Sequence, residues 1–523
     1  MAMFKIRSMH GLLSSSIGTS SAGLTCAAVL TLPLALPAAA APAGPAPTVH
    51  GAGADSRISG AADPGSTQSL PLVPLTRERV LGSAPVQGVH RRDVRHFSLV
   101  GVVWDNPGTE LHGQVQVRTR STGTGKWTGW QAVETHNDHG ADPDTAESTS
   151  GRVHGATAPL WVGDSDAVEV QVRADVAPAT GDGRASDSLA PLPSGLRLEL
   201  VDPGADSPSK GSPSDPSRTG LGLDDAAAGA SAANSDLVPL GAAEIPALSK
   251  EDTDREAARE AGRPESGREA GRELGREPNR ESGRELGRES ARESGRESAR
   301  GSGREVLALH GAGPAGTQRA EPYTAARPRI VTRSGWGADE SLRERGFVYT
   351  ESVKAAFVHH TASGNNYTCS QAPSVIRSIY RYHVKSMGWR DIGYNFLVDK
   401  CGSIYEGRAG GVTKAVQGAH TLGFNSNSMG VAVIGTFNSA KPSSSAVTGV
   451  AELTAWKLGL FGADPKGKTY LKSGGGNLYP KGQYARLNVI SGHRDGYATD
   501  CPGEILYSKL GSVRTDAARY QGR

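Results

Sequence analysis

The sequence predicts a C-terminal α/β domain with a mixed central β-sheet flanked by helices, a smaller N-terminal all-β domain resembling a sandwich, and a long disordered linker between them. Of the 28 aromatic residues, 21 lie in residues 327–523, so the capacity to form a dense core is concentrated there. Short strand-like runs separated by turn residues occupy residues 97–201. Residues 205–325 are dominated by Gly, Ser, Pro, Ala, Arg and Glu, a composition that buries no core.

Residues 1–41 have the features of a secretory signal peptide. Lys5 and Arg7 precede an apolar run at 24–36, which ends in the small-residue string 38–41. The run is shorter than the about 20 residues of a membrane-spanning helix, although a retained anchor helix is the alternative. We therefore expect a secreted protein, extracellular or associated with the cell wall, without a transmembrane segment after cleavage. Residues 42–76, rich in Ala, Gly, Pro and Ser, predict a disordered leader.

Residues 77–204 predict the sandwich-like β domain. His136 and His139 fall in its loop region, followed by the acidic stretch 142–147. A pair of metal ligands is one interpretation of these histidines, but solvated loop side chains are the interpretation we favour. The domain is thus expected to be a spacer or a binding module. Its predicted strands are Phe97–Trp104, Gly113–Thr119, Trp127–Val133, Ala167–Ala174 and Leu196–Val201.

The linker predicted over residues 205–325 contains a charge-balanced Arg-Glu repeat between positions 255 and 305. A four-residue spacing would place Glu256 and Glu260 on one side of a helix. The repeat also contains recurring glycines, such as Gly267, and two prolines, Pro264 and Pro278, which all penalise helix formation. We therefore expect a flexible, hydrated tether.

The elements of the α/β domain bring polar residues to the ends of strands. A buried strand at 355–358 leads directly into His359 and His360, and a second at 488–491 leads into His493. Apolar residues spaced for one buried face predict a helix at 374–385. The other predicted elements are strands at 394–398, 403–406 and 428–435 and a helix at 446–460.

His359, His493 and Cys501 form a plausible set of zinc ligands, since a catalytic zinc site uses three protein ligands of this kind plus water. Signal cleavage would leave three cysteines, an odd number that needs a reason in an oxidising compartment. We predict a disulfide between Cys369, before the first helix, and Cys401, in a turn beyond the next strand. Cys501 is then either a metal thiolate or a buried free thiol.

Several motifs in order make residues 326–520 resemble the peptidoglycan recognition proteins and type 2 N-acetylmuramoyl-L-alanine amidases. This resemblance implies a zinc-dependent peptidoglycan amidase domain over 326–523, with Zn²⁺ held by His359, His493 and Cys501. Members that only bind peptidoglycan typically lack this cysteine, so its presence implies an enzyme. The motifs are Arg333–Gly337, Phe357–Ala362, Gly388–Phe396, Gly492–Asp495 and Cys501–Gly503.

The resemblance also implies the reaction and further site residues. It implies metal-assisted hydrolysis of the amide bond between N-acetylmuramic acid and L-alanine. Tyr394 matches a position that orients water or stabilises the oxyanion. Thr499 matches the other position of this kind, but a hydroxyl lacks the positive charge of the lysine that relatives carry there. His420, Asn425 and Arg408 lie in segments that resemble the substrate groove.

The charge of the C-terminal domain narrows the partners. Residues 327–523 contain 25 Lys and Arg against 13 Asp and Glu, a balance of +12 in a chain whose net charge is +3. This charge suits peptidoglycan together with anionic cell-wall polymers. Nucleic acid is a poor partner for an exported chain without a recognisable basic motif. The alternatives to an amidase are a non-catalytic peptidoglycan-binding protein, or an adhesive protein whose main function lies in the β domain.

Overall fold

The computed structural model describes residues 65–75, 86–135, 139–175, 190–205, 224–261 and 323–523. The predicted signal peptide, residues 1–41, lies outside these ranges, as do His136 and most of the predicted leader. Within the ranges just given, none of the helices combines the length and the apolar composition that crossing a membrane requires.

Within the described residues, the β domain contains eight antiparallel strands connected by hydrogen bonds in one sheet, with the path β1-β8-β3-β7-β4-β5. The long third strand carries register shifts between Val89 and Leu99, and such bulges bend a strand. The two ends of the sheet therefore enclose one apolar core, to which Val117, Val170 and Leu200 belong. The strands are β1 (Ser66–Pro71), β2 (Val73–Pro74), β3 (Val86–Trp104), β4 (Gly113–Ser121), β5 (Gln131–Val133), β6 (Gly155–Ala156), β7 (Leu160–Ala174) and β8 (Arg197–Asp202).

The β domain begins before the predicted boundary at residue 77. Strand β1 lies in the segment that we expected to be a disordered leader, yet it pairs along its whole length with β8. Its sequence is polar, with four polar residues before Leu70, so no apolar alternation marks it as a strand. Backbone pairing to a distant strand is what orders this segment.

The C-terminal domain is built on the predicted mixed sheet, with the order β17-β11-β14-β12-β13-β10-β9. Its centre is parallel, since β14 pairs in parallel with both β11 and β12. A separate antiparallel hairpin consists of β15 (Lys468–Lys472) and β16 (Tyr484–Asn488). The sheet strands are β9 (Glu244–Ile245), β10 (Ile330–Val331), β11 (Ala355–His360), β12 (Phe396–Val398), β13 (Ile404–Glu406), β14 (Ser428–Val433) and β17 (Ile490–Gly492).

Helices cover both faces of this sheet. Val431 and Val433 of β14 face a core that includes residues of α5 and α7, whereas Ala432 faces a core that includes residues of α4. A single π-helical turn, Tyr382–Ser386, extends α4. The helices are α1 (Asp225–Ala232), α2 (Lys250–Ala261), α3 (Arg333–Trp336), α4 (Ala372–Arg381), α5 (Ser444–Gly459), α6 (Glu504–Tyr507) and α7 (Leu510–Gln521).

Residues 224–261 pack on the C-terminal domain, so the prediction of a disordered linker over 205–325 is wrong for this part. Strand β9 pairs with β10, and the Asn234 side chain donates hydrogen bonds to both carboxylate oxygens of Glu406 at 2.9 and 3.0 Å. Arg327 pairs with Glu256 of α2 at 2.6 Å. These contacts are mostly polar and join residues that are distant in sequence. Apolar periodicity in the sequence therefore does not reveal them. Residues 206–223 and 262–322 lie outside the described ranges.

The two domains share a buried core, which we call the apolar interface. Leu99, Trp161 and Val201 of the β domain form one buried cluster with Ile379 and Tyr382 of the C-terminal domain. The Tyr382 hydroxyl donates a hydrogen bond to the Thr157 carbonyl oxygen at 3.1 Å. The β domain is therefore packed directly on its neighbour and is not a spacer at the end of a tether.

Candidate metal centre and groove

His359 and His493 meet because β11 and β17 are parallel neighbours. Val358 pairs with Gly492, so the next residue of each strand lies at the same edge of the sheet. The two imidazole centroids are 4.6 Å apart. The Cys501 sulfur lies 3.7 Å from His359 Nδ1. The structure thus brings together the three residues that the sequence nominates as zinc ligands.

His139 of the β domain completes this group. Its Nε2 lies 3.1 Å from His359 Nδ1 and 3.9 Å from the Cys501 sulfur. Its ring centroid is 4.7 Å from that of His493. The four ligand atoms all lie within 4.8 Å of one another. The interpretation of His139 as a solvated loop residue is therefore wrong: a loop of one domain inserts its side chain into the site of the other.

The donor set fits zinc. Tetrahedral zinc, with bonds of about 2.0 Å to nitrogen and about 2.3 Å to sulfur, separates its ligand atoms by about 3.3–3.6 Å, close to the distances observed here. Both ring nitrogens of His493 are buried and, among the described residues, have no hydrogen-bond partner. Buried polar atoms are rarely left unpaired, so this imidazole points to a ligand.

The electrostatics of the cluster favour neutral imidazoles. Burial, followed by repulsion from His360, lowers the pKa of His139 to about 3. Burial and repulsion from His493 hold the pKa of His359 well below its ordinary value. Burial does the same for the pKa of His493. The neutral ring is the form that binds metal ions.

Tyr394 lies beside the cluster, just before β12. Its ring centroid is 5.7 Å from that of His359 and 5.3 Å from that of His139. Burial raises the pKa of the Tyr394 phenol well above its ordinary value, so it keeps its proton and can donate it in a hydrogen bond. Thr499 has a contact of a different kind. Its Oγ1 accepts a hydrogen bond from the Cys501 amide at 3.2 Å and so helps to fix the loop that carries the thiol.

Two further histidines surround His359 without joining the group of four. His360 lies on the other side of the strand, and its Nδ1 accepts a hydrogen bond from the Phe437 amide at 3.3 Å. His420, nominated from the sequence for the substrate groove, is fully buried behind His359. Its Nδ1 lies 3.3 Å from His359 Nε2. A contact of this kind orients a metal ligand.

The two other nominated groove residues contact a segment that we call the groove loop, residues 139–147 of the β domain. Glu147 forms a two-point ion pair with Arg408, with N–O distances of 2.8 and 2.9 Å. Asp142 Oδ1 accepts hydrogen bonds from the Asn425 side chain at 2.7 Å and from the Gly423 amide at 2.8 Å. The groove loop therefore occupies the donors that the sequence assigns to substrate.

Charge and burial affect the two carboxylates differently. Burial raises the pKa of Asp142, although the hydrogen bonds from Asn425 and Gly423 oppose this shift. Burial acts in the same direction on Glu147, but the charge and the hydrogen bonds of Arg408 outweigh it and lower the pKa of Glu147. Glu147 is thus held in its charged form by Arg408.

A disulfide joins Cys369 and Cys401, as predicted from the sequence. Cys369 begins a 3₁₀ turn immediately before α4, and Cys401 lies in the turn between β12 and β13. Cys501 is buried and reduced. Because Cys369 and Cys401 are joined to each other, Cys501 is the cysteine that can take part in the metal group.

Comparison with known proteins matches two segments of the chain to families. Residues 349–504 match the N-acetylmuramoyl-L-alanine amidase family, and residues 54–192 match the Rv3811 N-terminal galactose-binding domain-like family. Peptidoglycan-recognition protein SC2 of Drosophila simulans is 31% identical over 183 residues, which are 35% of this chain and 84% of that protein. The chain belongs to the peptidoglycan-recognition protein family.

Two further similar proteins differ in the share of their own length that the match covers. The N-acetylmuramoyl-L-alanine amidase of Homo sapiens is 34% identical over 190 residues, which are 35% of this chain but 28% of the human protein. The solved structure of Drosophila PGRP-LB is 25% identical, with a TM-score of 0.28, and the match covers 35% of this chain and 92% of that one. Membership of the family gives this chain a role in peptidoglycan hydrolysis or recognition.

From the sequence we missed Asp142 and Glu147 and set aside the interpretation of His139 as a metal ligand. They lie more than 200 residues from the groups they contact, and no motif surrounds them. One signal was present, because the acidic stretch 142–147 faces a C-terminal domain with a charge of +12. Charge complementarity of this kind favours docking between the two.

Proposed function

We propose that this protein is a secreted, zinc-dependent N-acetylmuramoyl-L-alanine amidase. It hydrolyses the amide bond between N-acetylmuramic acid and L-alanine in bacterial peptidoglycan. The observation that carries the proposal is the convergence of His359, His493 and Cys501, buried at one edge of the sheet and adjacent to Tyr394. Catalytic zinc sites use three protein ligands drawn from His, Cys and carboxylate side chains, plus a water molecule.

His359, His493 and Cys501 would hold the zinc ion. When bound, zinc lowers the pKa of a water molecule and polarises the carbonyl group to be cleaved. His420, through its contact with His359 Nε2, fixes the orientation of that ligand ring. Thr499, through the Cys501 amide, fixes the loop that carries the thiolate.

Tyr394 provides the protein's own stabilisation of developing charge. Its phenol is buried and protonated, so it donates a hydrogen bond to the oxygen that becomes negative during attack on the amide. Thr499 is the weaker candidate for this task, because a hydroxyl donates a hydrogen bond without a positive charge. Both residues thus lie beside the proposed metal site, and we expect Tyr394 to contribute more to the rate of hydrolysis.

Arg408 and Asn425 supply the binding donors of the groove. An arginine that makes a two-point ion pair and an amide that donates to a carboxylate are suited to the free carboxylates of a stem peptide. Peptidoglycan is therefore the proposed substrate. Anionic cell-wall polymers, attracted by the +12 domain, are the proposed additional partner.

The test is mass analysis of muropeptides incubated with the purified full-length protein, with zinc and with a chelator. Long incubation at enzyme concentrations near those of the substrate makes slow hydrolysis visible. We expect stem peptides with a free N-terminal alanine, and none with the chelator. The His139→Ala variant, which removes the imidazole that the β domain adds to the metal group, is tested in parallel. If both zinc-loaded proteins bind muropeptides but release no peptide, the protein is a recognition protein without amidase activity.

A further inference from the structure

We propose that His139 is a fourth metal ligand and that the groove loop, residues 139–147, closes the substrate groove, so that the full chain is a latent amidase. The loop must leave before an anionic, carboxylate-bearing peptide can enter. This inference rests on the proposed function, since latency has meaning only for a site that otherwise acts. It concerns a residue of the β domain and a contact between the two domains.

The number of protein ligands distinguishes two kinds of zinc site. Catalytic sites keep three protein ligands and leave a fourth position to water or substrate, whereas sites with four protein ligands are closed and structural. Here His139 Nε2 lies at ligand-to-ligand distance from His359 Nδ1, 3.1 Å, and from the Cys501 sulfur, 3.9 Å. The imidazole therefore takes the position that the reacting water requires.

The carboxylates of the same loop close the groove beyond the metal. Asp142 accepts hydrogen bonds from Gly423 and Asn425, and Glu147 pairs with Arg408. The Gly140 carbonyl oxygen accepts a further hydrogen bond from the Asn425 side chain at 2.8 Å. Because these donors are those that would receive the carboxylates of a stem peptide, binding of the loop and binding of substrate exclude each other.

The loop can leave without separating the domains. The connection between β5 and β6 carries it, whereas most β-domain residues of the apolar interface belong to β3, β7 and β8. Within the loop, Ala141 packs against the edge of that cluster with a single methyl group. The polar contacts of the loop are hydrogen bonds and ion pairs, which water or a ligand of similar charge can replace. The latent and open states thus differ in one segment.

The number of protein ligands is tested by the visible absorption spectrum of the full-length protein with Co²⁺ bound in place of zinc. The metal content of the zinc-loaded protein is measured in parallel. We expect His139→Ala to keep one metal ion per chain but to change the Co²⁺ spectrum, because a water molecule replaces an imidazole. The matched control is His112→Ala, an exposed histidine of the same domain, which should leave the spectrum unchanged. Identical spectra for His139→Ala and the unmodified protein would overturn the fourth ligand.

Closure of the groove is tested by calorimetric titration of the zinc-loaded proteins with a soluble muropeptide. If the open form is a tenth of the population or less, removing the loop contacts raises the apparent affinity about tenfold or more. We expect this increase for His139→Ala and for the double variant Asp142→Asn with Glu147→Gln. The double variant preserves side-chain shape, so it provides the test if His139→Ala does not fold. Unchanged affinity in both would overturn the latent groove.

Hydrolysis rates separate this inference from the proposed function. Faster hydrolysis by His139→Ala than by the unmodified protein supports both. Equal rates, with an unchanged affinity, overturn latency and leave the amidase standing. Higher affinity and an altered Co²⁺ spectrum without any hydrolysis support the closed groove and overturn the amidase.

Discussion

The β domain contacts the amidase domain in two regions of opposite chemistry. The apolar interface consists of side chains such as Leu99, Trp161 and Tyr382, which are almost completely buried. The groove loop contacts its neighbour mainly through polar groups, among them the imidazole of His139 and the carboxylates of Asp142 and Glu147. One region resembles the interior of a single domain and the other resembles a bound ligand.

The difference shows which contact is permanent. Burial of apolar surface stabilises by about 25 cal/mol per Å² and nothing in solution replaces it. A buried ion pair gains little net free energy, because desolvation of the two charges offsets their attraction. Another carboxylate can therefore replace Glu147 on Arg408 at a small cost, whereas nothing replaces Trp161. The apolar interface holds the domains together and the groove loop controls access.

The largest effect that we expect comes from Cys501→Ser, a change in the amidase domain that leaves the apolar interface intact and removes the thiol that His139 of the groove loop contacts. A serine hydroxyl stays protonated near neutral pH and binds zinc poorly, so hydrolysis should fall by at least about 10³-fold and zinc content should drop. Metal analysis and turnover should be measured on the same preparation. Full activity in a zinc-free variant would contradict the metal mechanism.

Trp161→Ala should break the apolar interface. Removal of a buried tryptophan side chain typically costs about 3–5 kcal/mol in the free energy of unfolding, because it leaves a cavity. Muropeptide affinity should not rise, since the groove loop does not depend on this side chain. Urea denaturation and calorimetric titration measure the two quantities. A rise in affinity like that expected for His139→Ala would show that the two regions act as one.

Tyr394→Phe should slow turnover by about 10²–10³-fold while zinc remains bound, if the hydroxyl stabilises the oxyanion. The variant isolates the contribution of the amidase domain to the site, because Tyr394 lies beside His139 but does not belong to the groove loop. Tyr367→Phe is the matched control, a buried tyrosine whose hydroxyl donates to the Ile434 carbonyl oxygen. Equal turnover of the two variants would remove Tyr394 from the mechanism.

The smallest effect concerns a third polar contact, between Asn234 and Glu406, which is buried and has no substrate to compete with it. Burial raises the pKa of Glu406 to about 7, so the folded protein binds this proton more tightly than the unfolded chain does. Its contribution to stability is complete below the unfolded pKa of about 4.5 and is lost as the pH rises through about 7, at most about 3 kcal/mol.

Glu406→Gln should remove this dependence, because an amide does not titrate. Urea unfolding at pH 5 and pH 8 measures the loss of stability between the two values. The unmodified protein should lose more stability than the variant. Equal losses would show that Glu406 is charged throughout this range, as Arg333 and Asn234 would favour.

Local sequence was sufficient for the parts of the fold that repeat a pattern. The buried strand leading to His359 follows from a continuous apolar run, and the helix predicted over 374–385 follows from apolar periodicity. Both are confirmed, the helix as α4 and the π turn that extends it. The positions of His493 and Cys501 follow from motifs. That strand β1 and residues 224–261 adopt a defined structure could not be predicted, because the residues they pair with lie far along the chain.

The class of the C-terminal domain and three candidate metal ligands could be predicted from the sequence, because they depend on apolar strands, amphipathic helices and short motifs. The contact of His139 with His359, and the contacts of Asp142 and Glu147 with the C-terminal domain, required the tertiary structure. Such contacts join residues more than 200 positions apart and depend on how two domains pack. Single polar side chains in a loop carry no periodic signal, so their role becomes visible only when the domains meet.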